Sequence, residues 1–402
     1  MRKPFALILS VAALGAILGA VPATAAGKGP GDVGSAVSAP GRKAGKKVSR
    51  PRVEIAILLD TSGSMSGLIE QAKRQLWSIV NEFITAKKND VRPELKVALY
   101  EYGKSTLRSD EGYIRQIQPL TDDLDKVSEE LFALKTNGGE EYCGWVIKRA
   151  VEELSWSRNK EDLKVIYIAG NEPFTQGKVD YRKSCKAAIA RGIIVNTIHC
   201  GNQAAGVSGK WKDGAVLADG AFAVIDHNHS VVAVAAPQDK RIAELGAELN
   251  RTYVAFGARG KDRAAAQAAI DSKTSSISTA NMAQRAVAKA NAYYVNAHWD
   301  LVDAVNHKKV DLEKVDKKDL PENMRKMTPE ERRDYVRKQA LERKKIQAEI
   351  NKLNTARRKY VAAEMKKRAA SGEKSLGSEV NRSLRAQAAR KNFKFQETPA
   401  GR

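Results

Sequence analysis

Val53-Glu54-Ile55-Ala56-Ile57-Leu58-Leu59, followed directly by Asp60-Thr61-Ser62-Gly63-Ser64-Met65, is the stretch from which the rest of the chain can be read. Its first seven residues carry one charge in an apolar run, the pattern of a strand buried on both faces of a parallel sheet. Its last six place a carboxylate and two hydroxyls at alternate positions where that strand ends. A helix is predicted to follow from about Gly67 to Lys87, with Leu68, Ile69, Ala72, Leu76, Ile79, Val80, Phe83 and Ile84 as its apolar stripe. Hard oxygen donors gathered at such a turn suit Mg²⁺, Mn²⁺ or Ca²⁺ better than zinc.

Downstream, strands and helices alternate. Extended runs at Leu95 to Tyr102, Tyr113 to Pro119, Lys164 to Ala169 and Ile193 to His199 are separated by helical patterns at Asp122 to Leu134, after Cys143, and at Tyr181 to Arg191. Ala221 to Asp226 and Val231 to Ala235 read as the last strand region, and Asp239 to Asn250 as a closing helix. The alternation predicts an α/β fold with a doubly wound, mostly parallel sheet, whose ligand site lies at the carboxyl ends of the strands. Asp226-His227-Asn228-His229 lacks the surroundings of a nuclease or metal motif and reads as a polar turn.

The Asp-x-Ser-x-Ser pattern at this strand-to-helix junction resembles the metal-ion-dependent adhesion site of von Willebrand factor type A (VWA) domains. The resemblance runs over residues 52–257 and implies a Rossmann-like fold. It also implies a divalent cation, Mg²⁺ or Mn²⁺ first and Ca²⁺ next, and a protein partner that offers the metal a carboxylate. Two loops depart from the family pattern. Where members place Thr after a Gly-Gly pair, this chain has Gly138-Gly139-Glu140-Glu141; where they place Asp at the end of the fourth strand, it has Gly170 in Ala169-Gly170-Asn171-Glu172-Pro173. One carboxylate is lost and another gained, so the net negative charge is kept. The expected metal ligands are Asp60, Ser62, Ser64 and Glu140, with Asn171 and Glu172 as water-mediated partners.

Arg2 and Lys3 precede an apolar stretch from Phe5 to Val21, and Ala23-Thr24-Ala25 supplies small residues for cleavage. Residues 1–25 therefore read as a secretory signal peptide, with an uncleaved anchor as the alternative, and place the protein in the periplasm or outside the cell. No later segment is apolar enough to span a bilayer. Residues 26–51, rich in Gly, Pro, Ser and basic side chains, read as a flexible tether. An oxidising compartment favours a disulfide among Cys143, Cys185 and Cys200, and the sequence leaves the pair open.

Residues 258–327 are alanine-rich and suggest a helical hairpin or a docked helix. Thr328-Pro329-Glu330-Glu331 is a helix start with Thr as N-cap and Glu three residues on, opening a long basic helix over 328–370. Arg343 and Arg357 interrupt any heptad on it, which argues against a parallel coiled coil and leaves an antiparallel dock or a partner helix. Residues 371–402 have little apolar content and are expected to be disordered, so the A-type region is expected to close on itself near Gly257.

The formal net charge is +22. Basic groups such as Arg343-Lys344-Lys345, Arg357-Arg358-Lys359 and Lys366-Lys367-Arg368 suit anionic envelope polymers. No aromatic platform accompanies them, which argues against specific nucleic-acid recognition. The chain has no Gly-x-Ser-x-Gly, no His-Glu-x-x-His and no phosphate-binding loop. The reading is an exported, noncatalytic binding or adhesion module; the alternative is a structural envelope protein with a metal-free A-type scaffold.

Overall fold

The computed structural model describes residues 50–82, 86–226, 234–369 and 376–395. The expected signal and tether, apart from Arg50 and Pro51, lie outside the described residues. So do most of the polar turn after Asp226 and the first part of the second half of the last strand region.

The apolar runs become the strands β1 (Arg52–Asp60), β3 (Glu94–Tyr102), β4 (Ile114–Thr121), β5 (Leu163–Gly170), β6 (Ile193–Cys200) and β7 (Phe222–Ile225). They form one sheet in the order β4-β3-β1-β5-β6-β7. β4 is antiparallel to β3, and the remaining pairs are parallel, so β1 is central. Two-residue strands β2 (Ala86–Lys87) and β8 (Lys394–Phe395) pair separately. Alternation along β1 divides the core. Val53, Ile55 and Leu59 face one side, while Ala56 and Leu58 face the other.

The second side is covered by α3 (Cys143–Glu153), α4 (Tyr181–Ala190) and α6 (Trp211–Val216), the last reached through the short α5 (Gln203–Ser208). The first side is covered by α1 (Ser66–Glu82) and α2 (Leu124–Ala133), and also by α13 (Leu376–Arg390). The N-cap of α2 is Asp123, which accepts from Lys126 N at 3.0 Å, and Thr121 Oγ1 accepts from Asp123 N at the same distance.

α13 corrects the expected disorder of residues 371–402 wherever they are described. Leu376, Val380, Leu384 and Ala388 recur every four residues and are all buried against the sheet, with Phe393 beside them. Asn196 of β6 and Gln387 exchange two amide hydrogen bonds, at 3.1 and 2.6 Å, and Tyr167 donates to Val380 O at 3.2 Å. Fully burying one Leu or Val stabilises by about 1.5–3 kcal/mol. Losing several of them rivals a typical total stability of about 5–15 kcal/mol, so the domain does not close near Gly257.

α7 (Asp239–Asn250), α8 (Gly260–Ile277), α9 (Thr279–Lys289), α10 (Leu301–Asn306) and α11 (Glu322–Arg325) lead to the long α12 (Pro329–Ala369). Its start is the expected capping box: Thr328 N donates to Glu331 Oε2 at 2.7 Å, and Glu331 N to Thr328 Oγ1 at 3.2 Å. α12 docks within the chain by the very residues that spoil a heptad. Arg343 donates to Asp300 at 2.6 Å, Asp303 at 2.7 Å and Thr252 O at 2.6 Å, and Arg357 donates to Asp239 at 2.5 Å. No helix among the described residues is long and apolar enough to cross a membrane.

A candidate metal centre at the carboxyl end of the sheet

β1 delivers Asp60 fully buried to the sheet's carboxyl edge. The chain then reverses in a 3-10 turn, Gly63–Met65, before α1 begins at Ser66. Asp60 holds the turn by accepting from Ser62 N at 2.7 Å. Ser62 Oγ and Ser64 Oγ lie 3.3 Å apart, so the two hydroxyls face the same space.

Two further loops close on this turn. Asn137 N donates to Thr61 O at 3.0 Å, which ties the loop before α3 to the end of β1. Asn171, just after β5, donates from Nδ2 to Ser64 Oγ at 3.3 Å. Thr61 is anchored in turn on Tyr102 O at 2.8 Å through its backbone N–H.

The second carboxylate of the site is Glu141, and the expected Glu140 is not in it. Glu140 is exposed and takes a hydrogen bond from the Tyr142 hydroxyl. Glu141 is 4% exposed, and its backbone N–H donates to Gln176 Oε1 at 2.7 Å. Its carboxyl group meets that of Asp60. Burial, then the charge of Glu141 beside it, push the Asp60 carboxyl well above its ordinary 3.8. Burial also raises Glu141, with the nearby Glu172 adding to it. Asp60 Oδ2 and Glu141 Oε2 are shielded from water, and neither has a hydrogen-bond donor.

Two glycines make room for this pair. A Cβ on Gly103, whose φ is +81°, would stand 2.7 Å from Glu141 Cγ and 2.9 Å from Asp60 Oδ1. A Cβ on Gly170 would stand 2.5 Å from the Tyr102 hydroxyl and 3.0 Å from Asp60 Oδ2. Tyr102 donates from that hydroxyl to Ala169 O at 3.0 Å, so it occupies the volume a side chain at position 170 would need.

Among the described residues no group of three or more His, Cys, Asp and Glu side chains is placed to hold a metal ion, so the Asp60–Glu141 pair would have to be completed by hydroxyl oxygens. The donor set is two carboxylates and two hydroxyls, all hard oxygens, and its buried carboxylate oxygens without donors fit a hard divalent cation. Asp60, Glu141, Ser62 and Ser64 would hold it, with Asn171 and Glu172 at the rim. A cation there would offer a Lewis-acidic position to an oxygen ligand from outside.

The cysteines are separate, buried thiols rather than a disulfide. Cys143 and Cys185 belong to the core under α3 and α4, and Cys200, one residue on from His199, turns to the opposite face of the sheet. Cys143 donates to the Tyr102 hydroxyl at 3.8 Å, and burial pushes the Cys185 thiol from 9.0 up to about 12.

Residues 54–206 match the family model described as von Willebrand factor type A domain. Together with the mostly parallel sheet and the junction at Asp60, this makes that part of the chain a VWA domain. Among solved structures, the chain is similar to the VWA domain of SpRpn10, at 21% identity over 43% of this chain and 88% of that one, with a TM-score of 0.34. It is similar to the conserved hypothetical protein BatB from Bacteroides thetaiotaomicron, at 17% identity over 43% and 90%, with a TM-score of 0.33. A third is proximal thread matrix protein 1 from the mussel byssus with a zinc-occupied MIDAS motif, at 14% identity over 44% and 42%, TM-score 0.33. No curated protein matches the chain.

Proposed function

We propose that the chain is an exported, noncatalytic binding protein whose VWA domain holds a divalent cation and captures a protein partner through it. The observation behind this reading is the pair Asp60 Oδ2 and Glu141 Oε2, two water-shielded carboxylate oxygens without donors beside the Ser62 and Ser64 hydroxyls. Buried like charges are costly unless neutralised. A divalent cation neutralises both at once. Mg²⁺ and Mn²⁺ suit a compact oxygen cage and Ca²⁺ a looser one. An open coordination position then favours an anionic oxygen, and a carboxylate is the common anionic donor on a protein surface.

Calorimetry with Mg²⁺, Mn²⁺ and Ca²⁺ on the parent and on Asp60→Ala tests the site: heat of binding in the parent and none in the variant is expected, and equal binding removes the assignment. Partner capture that EDTA abolishes supports the metal-mediated mechanism. A second reading, attachment to anionic envelope polymers, draws on Lys359, Lys366 and Lys367, which stand exposed on the far half of α12. Retention in envelope fractions that falls with salt and ignores EDTA favours that reading instead.

A further inference from the structure

A groove of about 1090 Å³ runs between α12, from Arg333 to Arg358, and the chain from Ala290 to Glu313. Its carboxylates are already matched: Asp303 by Arg343 at 2.7 Å, Glu313 by Arg333 at 2.5 Å and Asp311 by Lys314 at 3.3 Å. Arg92, Lys344 and Arg358 also line it, and none of the three has a carboxylate partner among the described residues. The groove therefore carries surplus positive charge. Its wall is apolar as well, because Leu341 is 57% and Val295 is 37% exposed there, among the few large hydrophobic side chains left in water.

We infer that this groove is a docking site for an acidic, amphipathic segment of a partner protein. Apolar side chains of the segment cover Leu341 and Val295, and its carboxylates pair with Arg92, Lys344 and Arg358. Sulfated or phosphorylated polymers would satisfy the cations but leave the apolar wall in water. Single-stranded nucleic acid gains stacking energy from exposed aromatic faces, and Tyr294, the aromatic lining residue, is 7% exposed with its hydroxyl committed to Asp125.

The test uses the full chain in EDTA, so that the metal centre plays no part, with a fluorescein-labelled synthetic Leu/Glu amphipathic helix as probe. Poly-glutamate of equal charge, dextran sulfate and single-stranded DNA are the comparators. The Leu/Glu peptide is expected to bind more tightly than all three. The triple variant Arg92→Ser, Lys344→Ser, Arg358→Ser should weaken it by about tenfold or more, as removal of close charge pairs does. Lys338→Ser, Lys359→Ser, Lys366→Ser removes the same charge from exposed positions outside the groove and should change it by less than about threefold. Leu341→Ser should weaken the peptide and leave dextran sulfate unaffected; thermal melts check that every variant folds. No peptide binding, preference for a polyanion over the peptide, or equal losses in the two triple variants would overturn the inference.

Discussion

Around Arg285 two buried cations meet two buried carboxylates, whereas at the end of β1 two buried carboxylates meet each other. Arg285 donates to Asp125 at 2.5 Å and Asp271 at 2.8 Å, and Lys289 donates to Asp271 at 2.6 Å. Arg343 does the same for Asp300 and Asp303. The contrast is sharpest between Asp271 and Asp60, although burial and Asp300 also raise Asp303. Asp271 is held well below its ordinary 3.8, Lys289 and Arg285 overcoming the effect of burial, whereas Asp60 is pushed well above it. The helical clusters are closed and hold helices together. The cluster at the sheet edge is open, and what it lacks is positive charge.

The largest expected effect comes from opening a closed cluster. Arg343→Met leaves Asp300 and Asp303 buried without their cation and should cost about 3–5 kcal/mol in thermal or urea unfolding. Asp60→Asn in EDTA should cost under about 1 kcal/mol, or stabilise, since the amide keeps the acceptor for Ser62 N and removes a buried charge. Comparable losses in the two variants would erase the distinction between the regions.

Next in size is metal affinity. Glu141→Gln should weaken divalent-cation binding by about 10- to 100-fold in calorimetry, about 1.4–2.8 kcal/mol, while Glu140→Gln leaves it unchanged. The reverse result would return the second carboxylate to the outer position. Restoring the family residue at 170 should not help. Gly170→Asp drives a side chain against the Tyr102 hydroxyl and Asp60, so a loss of about 1–3 kcal/mol with no gain in affinity is expected.

The smallest effect is a pH dependence. Asp60 and Glu141 have folded-state values above the ordinary 3.8 and 4.5, so the folded metal-free protein binds their proton more tightly than the unfolded chain does. Their contribution is complete below those ordinary values and is lost as pH rises through the raised ones. In EDTA, the parent should therefore lose stability relative to the double variant Asp60→Asn, Glu141→Gln as pH rises through that window. Added Mg²⁺ should cancel the loss progressively as the proton leaves. A constant difference across pH would mean that neither burial nor their mutual repulsion raises the two carboxyl groups.

The VWA half was legible because its information is local. Seven-residue apolar runs and three-and-four spacing put β1, α1, β5 and β6 within a few residues of where they lie, and the Asp60 turn followed from them. Which of two adjacent glutamates points inward depends on the path of a loop that carries no period, so Glu140 and Glu141 were indistinguishable. The face of Cys200 was available from strand alternation, since it shares a side with Ile198. Arg343 and Arg357 look solvated in sequence because the carboxylates that hold them lie about 40 to 120 residues away. Leu376, Val380, Leu384 and Ala388 formed a visible four-residue period, diluted by the charged residues between them.

The seating of α13 joins distant parts of the chain. Leu376 N donates to Gln71 Oε1 at 3.3 Å across 305 positions, so a helix late in the described chain completes a face begun by β1 and α1. During synthesis β1 and α1 emerge early and must wait, with that side of the sheet open to water, until residues 376–390 follow. Contacts of such long range are slow to form, and a waiting apolar surface is the kind that chaperones hold. A copy without α13 would leave in water the apolar face that Leu376, Val380, Leu384 and Ala388 cover.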